Sequence, residues 1–193
     1  MNIKTTIMVC ITICLCFSLN SYAGGKAGGK ILVLNLVGTG EMYLDKVPDI
    51  DGDEVDDDAM CFDVDLVNAS NGQVMGTATD CLSQVSGGEN GGVALVGTTY
   101  FYMHQGMLIT RGKTTVQPVN HETTTPRGQM ITHITGAAGS DNAILGGTAR
   151  FADRTGTVRL SGMVDMTNFG SNNGDPVEGD PIAFDCLFVI TLD

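Results

Sequence analysis

Eight segments of this sequence have the composition of β-strands, and glycine-bearing turns separate most of them. They are rich in Val, Ile, Thr, Tyr and Phe, which are enriched in strands, and no long stretch spaces its apolar residues as a helix does. Such a series predicts an all-β, eight-stranded antiparallel meander, and closing it as a β-barrel removes exposed strand edges. A two-layer sandwich is the alternative. The segments are residues 31–37, 61–67, 73–82, 93–103, 107–116, 129–135, 157–167 and 183–192.

The N-terminus has the pattern of a secretory signal peptide. A polar start with Lys4 precedes an apolar run over residues 7–19, and small residues follow up to Ala23. The alternative, a membrane anchor, needs roughly 20 apolar residues, and this run is shorter. We expect a secreted or periplasmic protein with three parts: a signal peptide at 1–23, a Gly/Lys-rich flexible tether at 24–30 and a single barrel domain at 31–193.

The chain is strongly acidic, with a formal net charge of −12. The expected cleavage removes one lysine and no acidic residue, which leaves −13. Nucleic acids and anionic membrane surfaces are themselves negatively charged. We therefore expect no nucleic-acid partner, and no membrane partner once the signal peptide is removed.

Two of the three cysteines that remain after this cleavage fall opposite each other in a predicted hairpin. The segment Ser70-Asn71-Gly72 is typical of a three-residue hairpin loop whose glycine adopts the left-handed conformation. Pairing Ala69 with Gln73 then places Cys61 directly across from Cys81. A disulfide between them is predicted in an oxidising compartment, and the alternative is two unlinked thiols.

The stretch ILGGTARFADRTGTVRL, residues 144–160, interrupts strand-like sequence with a predicted corner. Residues 149–154 have the length and composition of one helical turn, with Phe151 as the apolar anchor, and Gly156 ends the turn before the next strand. The third cysteine, Cys186, shares a face of the last strand with apolar residues. We expect it to be a buried core thiol.

Four segments, in this order along the chain, resemble those of allene oxide cyclases and the related dirigent proteins. GDEVDDDAMCFDVDLVNASNGQVMGTATDCL is similar to a strand, turn and strand that ends in a cysteine. YFYMHQGMLITRG resembles their aromatic hairpin, GGTARFADRTGTVRL their GGxGxFxxxxG corner, and FDCLFVITL their closing strand.

The resemblance implies a calycin-type barrel that is usually a homotrimer. Its apolar pocket is expected to hold a small apolar or phenolic molecule and to guide its cyclisation or stereoselective coupling by fixing one conformation. Any activity implied is of the cyclase or isomerase type, without a redox or metal cofactor. The plant cyclases place polar pocket residues in and after the first strand, where this chain has ILVLNLVGTGEMYLDK, and Glu41 is the nearest catalytic candidate.

The aromatic hairpin supplies the other candidate site residues. With Gln105-Gly106 as a two-residue turn, three cross-strand pairs follow. If the face that carries them points inward, it can hold an anionic or phenolic ligand and polarise an oxygen; the alternative is a solvated outer face or a subunit contact. The candidate catalytic residues are Tyr102, His104 and Arg111. The candidate ligand-binding residues are Tyr100, Met107 and Ile109, with the pairs His104–Met107, Tyr102–Ile109 and Tyr100–Arg111.

The acidic segment DIDGDEVDDD is a calcium candidate. Its residues Asp49, Asp51 and Asp53 stand at alternating positions, as hard oxygen ligands for calcium do. The spacing departs from an EF-hand loop, because Met60 stands where that loop has a bidentate glutamate. The alternative is a solubilising acidic loop without a metal.

The sequence lacks the motifs of the standard hydrolytic and redox enzymes, including the nucleophile elbow, zinc-ligand spacing and the dinucleotide fingerprint. We therefore expect no cofactor, and two functions remain. One is a secreted barrel that binds a small apolar or phenolic molecule and guides its cyclisation or coupling. The other is a non-catalytic ligand-binding or structural barrel, which an interior filled by large side chains would favour.

Overall fold

A computed structural model describes residues 29–88, 92–126, 128–138, 143–167 and 176–193. None of the helical structure in these residues is long and apolar enough to cross a bilayer. The strands are β1 (Lys30–Glu41), β2 (Tyr43–Val47), β3 (Asp57–Asn68), β4 (Val74–Gly87), β5 (Val93–Met103), β6 (Gly106–Thr124), β7 (Met130–Ala138), β8 (Ile144–Gly147), β9 (Gly156–Asp165) and β10 (Pro181–Leu192).

Eight of these strands close into an antiparallel barrel. In chain order they are β1, β3, β4, β5, β6, β7, β9 and β10, and each pairs with the next. The first and last are also neighbours, since β1 pairs with β10 along its whole length. Apart from at most two residues at either end of the segment, each predicted segment lies within one of these strands, so the closed meander is confirmed and the sandwich alternative is wrong.

Two further strands lie outside the closed cylinder, and the sequence does not predict them. β2 follows β1 along the edge of β3, where Tyr43 pairs with Cys61. β8 pairs with β6, opposite the positions from Leu108 to Thr110. Both extend the sheet by edge-to-edge pairing, β2 along β3 and β8 along β6.

The predicted signal peptide at 1–23 and residues 24–28 of the predicted tether lie outside the described residues. Lys30 belongs to β1 rather than to the tether, because it pairs with Leu192 of β10. The barrel domain therefore begins one residue before the predicted boundary at residue 31.

The β3–β4 hairpin brings Cys61 and Cys81 together in a disulfide, as predicted. Gly72 has a φ of 70°, the expected left-handed conformation. The predicted closing pair of Ala69 with Gln73 is wrong, because Asn68 donates its backbone N–H to Gln73 and enlarges the loop by one residue. A bulge between Leu66 and Val67 restores the predicted register at the cysteines.

Loss of this disulfide is expected to destabilise the protein by about 3 kcal/mol, because the bond closes a loop of about 20 residues in the unfolded chain. The variant carrying Cys61→Ala and Cys81→Ala should unfold at a lower urea concentration than the parent protein. Adding a thiol reductant should lower the midpoint of the parent toward that of the variant and leave the variant unchanged. A parent midpoint equal to that of the variant would contradict the prediction.

Large apolar side chains pack the barrel interior. Phe62 meets Phe184, and Phe101 meets Phe188, edge to face with ring centroids 5.2 Å apart in each pair. Cys186 is buried in the same core, which confirms the prediction for this residue, and burial raises the pKa of its thiol.

The stretch before β9 forms a structured corner, as predicted. The 3-10 helix Ala149–Phe151 follows β8, and Phe151 is buried in the barrel core. Gly147 leaves the space that Phe151 occupies, since a Cβ at Gly147 would lie 2.8 Å from the Cβ of Phe151. Gly156, with a φ of 150°, ends the corner and begins β9.

Candidate functional site

The aromatic hairpin has a different turn from the one predicted. Met103 pairs with Gly106, so His104 and Gln105 form the turn and the three predicted pairs are wrong. Contacts with the corner explain the shift. Met107 exchanges hydrogen bonds with Thr148, donating its N–H to Oγ1 (2.9 Å) and accepting the Thr148 N–H (2.8 Å), which fixes this residue at the start of β6.

The shift keeps the predicted face together, because every pair moves by two positions. Tyr100 now lies opposite Ile109, Tyr102 opposite Met107, and Thr98 opposite Arg111. The alternating residues Phe101 and Leu108 are fully buried in the core, so this face is the outer one. Tyr102 is 42 % exposed. The other predicted orientation, into the barrel, is wrong.

The two remaining catalytic candidates also lie away from the interior. His104 is exposed in the hairpin turn. Glu41 is exposed at the end of β1, opposite Pro181. Neither residue is brought close to the barrel core by the folded chain.

Arg111 holds the loop after β2 against the outer face of the barrel. Its guanidinium donates hydrogen bonds to the backbone oxygens of Pro48 and Asp49 (2.8 Å for the latter) and to Thr98 Oγ1 (3.0 Å). Burial lowers the pKa of Arg111. The loop covers a small outer cluster that contains the disulfide, with Val47, Ala59, Tyr43, Ile50 and Tyr100 around it. Arg111 therefore stabilises the packing of this loop on the outer face of the barrel.

The acidic loop brings together a different trio from the predicted one. Carboxylate oxygens of Asp49, Asp51 and Asp57 lie within 4.8 Å of one another, whereas Asp53 accepts a hydrogen bond from the N–H of Val55. The Asp49 carboxylate accepts the N–H groups of Gly52 and Glu54, and these bonds lower its pKa. Asp53 is not a member of this trio. Calcium binding by the other acids stays a prediction.

A cavity of about 50 Å³ lies inside the barrel. A single water molecule needs about 10–15 Å³, so the cavity has room for a few water-sized groups. Its walls are mainly apolar and come from β4 to β7, β9 and β10. They include Leu82, Leu95, Val116, Val158, Leu160, Val164, Met166, Ile182, Phe184 and Phe188.

Small residues on β5 and β6 create the space. Gly97 pairs with Gly112 on the inner wall, and both border the cavity. A Cβ added at Gly112 would meet only Ala137, at 3.7 Å. The missing side chain at Gly112 therefore leaves space on this wall, whereas a Cβ at Gly97 would lie 3.2 Å from Thr114 Oγ1.

One carboxyl group, that of Asp80, borders this apolar cavity. Asp80 lies on β4 between Phe62 of β3 and Thr99 of β5, and it is 5 % exposed. The Thr99 hydroxyl donates a hydrogen bond of 2.6 Å to Asp80 Oδ1. Among the described residues, no group donates to Oδ2. Burial in apolar surroundings raises the pKa of Asp80 to about 7, and the Thr99 bond only partly offsets it.

The chemistry of this arrangement is that of a small, mainly apolar site with one carboxyl group and several hydroxyl groups. Other hydroxyl groups on the wall belong to Thr110, Thr114 and Thr135. A carboxyl group with a pKa near neutrality can donate a hydrogen bond or exchange a proton, according to the pH. Asp80 is not among the site residues predicted from the sequence.

Comparison of the chain with protein-family models, with curated proteins and with solved structures gives no match.

Proposed function

We propose that the protein is a secreted or periplasmic barrel that binds a small apolar or phenolic molecule in its interior, at the cavity around Asp80. The observation that carries this proposal is the pairing of apolar walls with a single buried carboxyl group. Binding sites for small molecules combine these features, since apolar contacts supply affinity and one or two polar groups fix the orientation. The buried disulfide between Cys61 and Cys81 supports an oxidising compartment.

Binding without catalysis is the form of this function that the geometry favours. The interior is largely filled by large side chains, so the cavity accepts a small molecule or one end of a larger one. The hairpin candidates Tyr102 and His104 are on the outside, where they cannot contact such a ligand.

Guided cyclisation or coupling, as in the family that the sequence resembles, is the second candidate. Asp80 is the feature that supports it, because an acid whose pKa is about 7 is suited to general acid–base catalysis near neutral pH. The homotrimer implied by the same resemblance is also a proposal. Its support is the apolar outer surface of β1 and β10, where Ile31, Val33 and Leu187 are exposed.

Native mass spectrometry of the chain secreted by its own source tests the proposed binding. We expect a small molecule to co-purify with the parent protein and to be absent from Gly112→Leu, whose new side chain fills the cavity. Thr115→Leu is the matched control, since this residue is exposed on the outer side of β6. Circular dichroism verifies that both variants are folded. A ligand-free parent, or a ligand retained by Gly112→Leu, would contradict the proposal.

A further inference from the structure

The two oxygens of Asp80 have different environments. Oδ1 accepts the hydrogen bond from Thr99, while Oδ2 has no donor among the described residues although Asp80 borders the cavity. Oδ2 is not fully buried, because among the described residues the fully buried side-chain oxygen or nitrogen without a partner is Ser83 Oγ. This oxygen is therefore the polar atom that Asp80 offers to a ligand in the cavity.

Among the described residues, no cationic side chain bonds to the Asp80 carboxyl group. Arg111 of β6 borders the cavity, but its guanidinium is directed to the loop oxygens and to Thr98 on the outer face. Two other ionisable groups at inward positions of the described strands are at least partly buried. The thiol of Cys186 on β10 is neutral because its pKa is raised, and burial lowers the pKa of His133 on β7, where Asp165 opposes the shift. The protonated form of Asp80 is the form that this interior favours.

Building on the proposed binding function, we propose that the cavity selects neutral ligands that carry a hydrogen-bond acceptor oxygen, such as a ketone, an ester or an ether, and binds them only while Asp80 is protonated. In that form Oδ2 carries the proton and its O–H donates a hydrogen bond to the ligand oxygen, while Oδ1 keeps its bond from Thr99. After ionisation both carboxylate oxygens are acceptors, so a ligand oxygen at the same place is repelled. Uptake and release are therefore coupled to the pH.

Acetone and 2-methylpropene test this inference, because they have nearly the same shape. The alkene has a CH2 group where acetone has its carbonyl oxygen. Their binding to the full secreted chain is measured by NMR titration of the backbone amides at pH 5 and pH 8. At pH 5 we expect acetone to bind about five-fold more tightly than the alkene, the contribution of one neutral hydrogen bond. At pH 8 the affinity for acetone should fall about ten-fold, since the pKa of Asp80 is about 7, while that for the alkene stays unchanged.

Two variants separate the carboxyl group from its surroundings. Asp80→Asn keeps an acceptor for Thr99 and a neutral donor at every pH, so its affinity for acetone should be equal at pH 5 and pH 8. Thr110→Val removes a hydroxyl from the same wall and should retain the pH dependence of the parent. Circular dichroism at both pH values shows that each protein is folded.

The outcomes distinguish the inference from the function on which it rests. If neither probe binds at either pH, the proposed function is wrong, and the inference falls with it. If the alkene binds and acetone binds no better, only the inference is wrong. A pH dependence that persists in Asp80→Asn would overturn it as well, because the titrating group would then be another residue.

Discussion

Asp80→Asn is expected to be more stable than the parent protein by about 4 kcal/mol at pH 9 and to have no such advantage at pH 4. The magnitude follows from the pKa of the carboxyl group, which is about 7 in the folded protein against an ordinary value of 3.8. Below about pH 4 the carboxyl group is protonated in both states, so it does not affect the free energy of unfolding.

The sign follows from which state holds the proton. Between about pH 4 and pH 7 the folded protein keeps a proton that the unfolded chain has released, so the stability of the parent decreases as the pH rises. Above pH 7 both states are ionised and the loss is complete. The asparagine variant has no proton to lose at this position, and it keeps the hydrogen bond from Thr99.

Urea unfolding of both proteins at several pH values measures the effect. Other titrating groups, such as Asp49 with its lowered pKa, act in both proteins and cancel in the difference between them. Asp65→Asn is the matched control, because Asp65 is exposed on the outer side of β3. Its difference from the parent should be small at every pH. A difference for Asp80→Asn that stays constant from pH 4 to pH 9 would contradict the prediction.

The eight barrel strands were predictable because alternation and turn residues act locally. The segment from Ala183 to Leu192 shows this, since its buried residues occupy every second position along β10. β2 and β8 lack the same signal. β2 has the sequence YLDKV with three exposed residues in a row, and half of the residues in ILGG of β8 are glycine. Their pairing depends on the strands that they join.

The hairpin turn shows a limit of the same kind. Gln105-Gly106 is a good local turn, but the corner some forty residues later bonds to Met107 and displaces it by one position. The sequence predicted which residues share a face but left its direction open, because the faces of Tyr102 and Phe101 are both aromatic. Contacts with distant strands decide which face points inward, and the local sequence does not contain this information.

Asp80 could have been found from the cysteines. The register that pairs Cys61 with Cys81 places both on one side of the β3–β4 sheet, so Asp80 must share the other side with Phe62. An acid opposite a phenylalanine in an apolar row is expected to be buried, which raises the pKa of its carboxyl group. The cavity itself was not predictable, since Gly97 and Gly112 meet only through the observed register of β5 and β6.

Phe151→Ala is expected to destabilise the protein by about 3–5 kcal/mol, the usual cost of removing a buried phenylalanine ring. Phe151 is 2 % exposed and joins the barrel core from the 3-10 helix, so its loss leaves a void that the strands cannot fill. The corner cannot collapse inward, because Thr148 is tied to Met107 by two hydrogen bonds.

The neighbouring Arg150→Ala is the matched control for this variant. Arg150 is exposed on the same turn, and within the described part of the chain its side chain bonds to Gln105 alone, so the free energy of unfolding should change by less than about 1 kcal/mol. Urea unfolding measures both variants. If Phe151→Ala unfolds at the same urea concentration as Arg150→Ala, the corner is a surface connection. If it unfolds much earlier, the corner is part of the core.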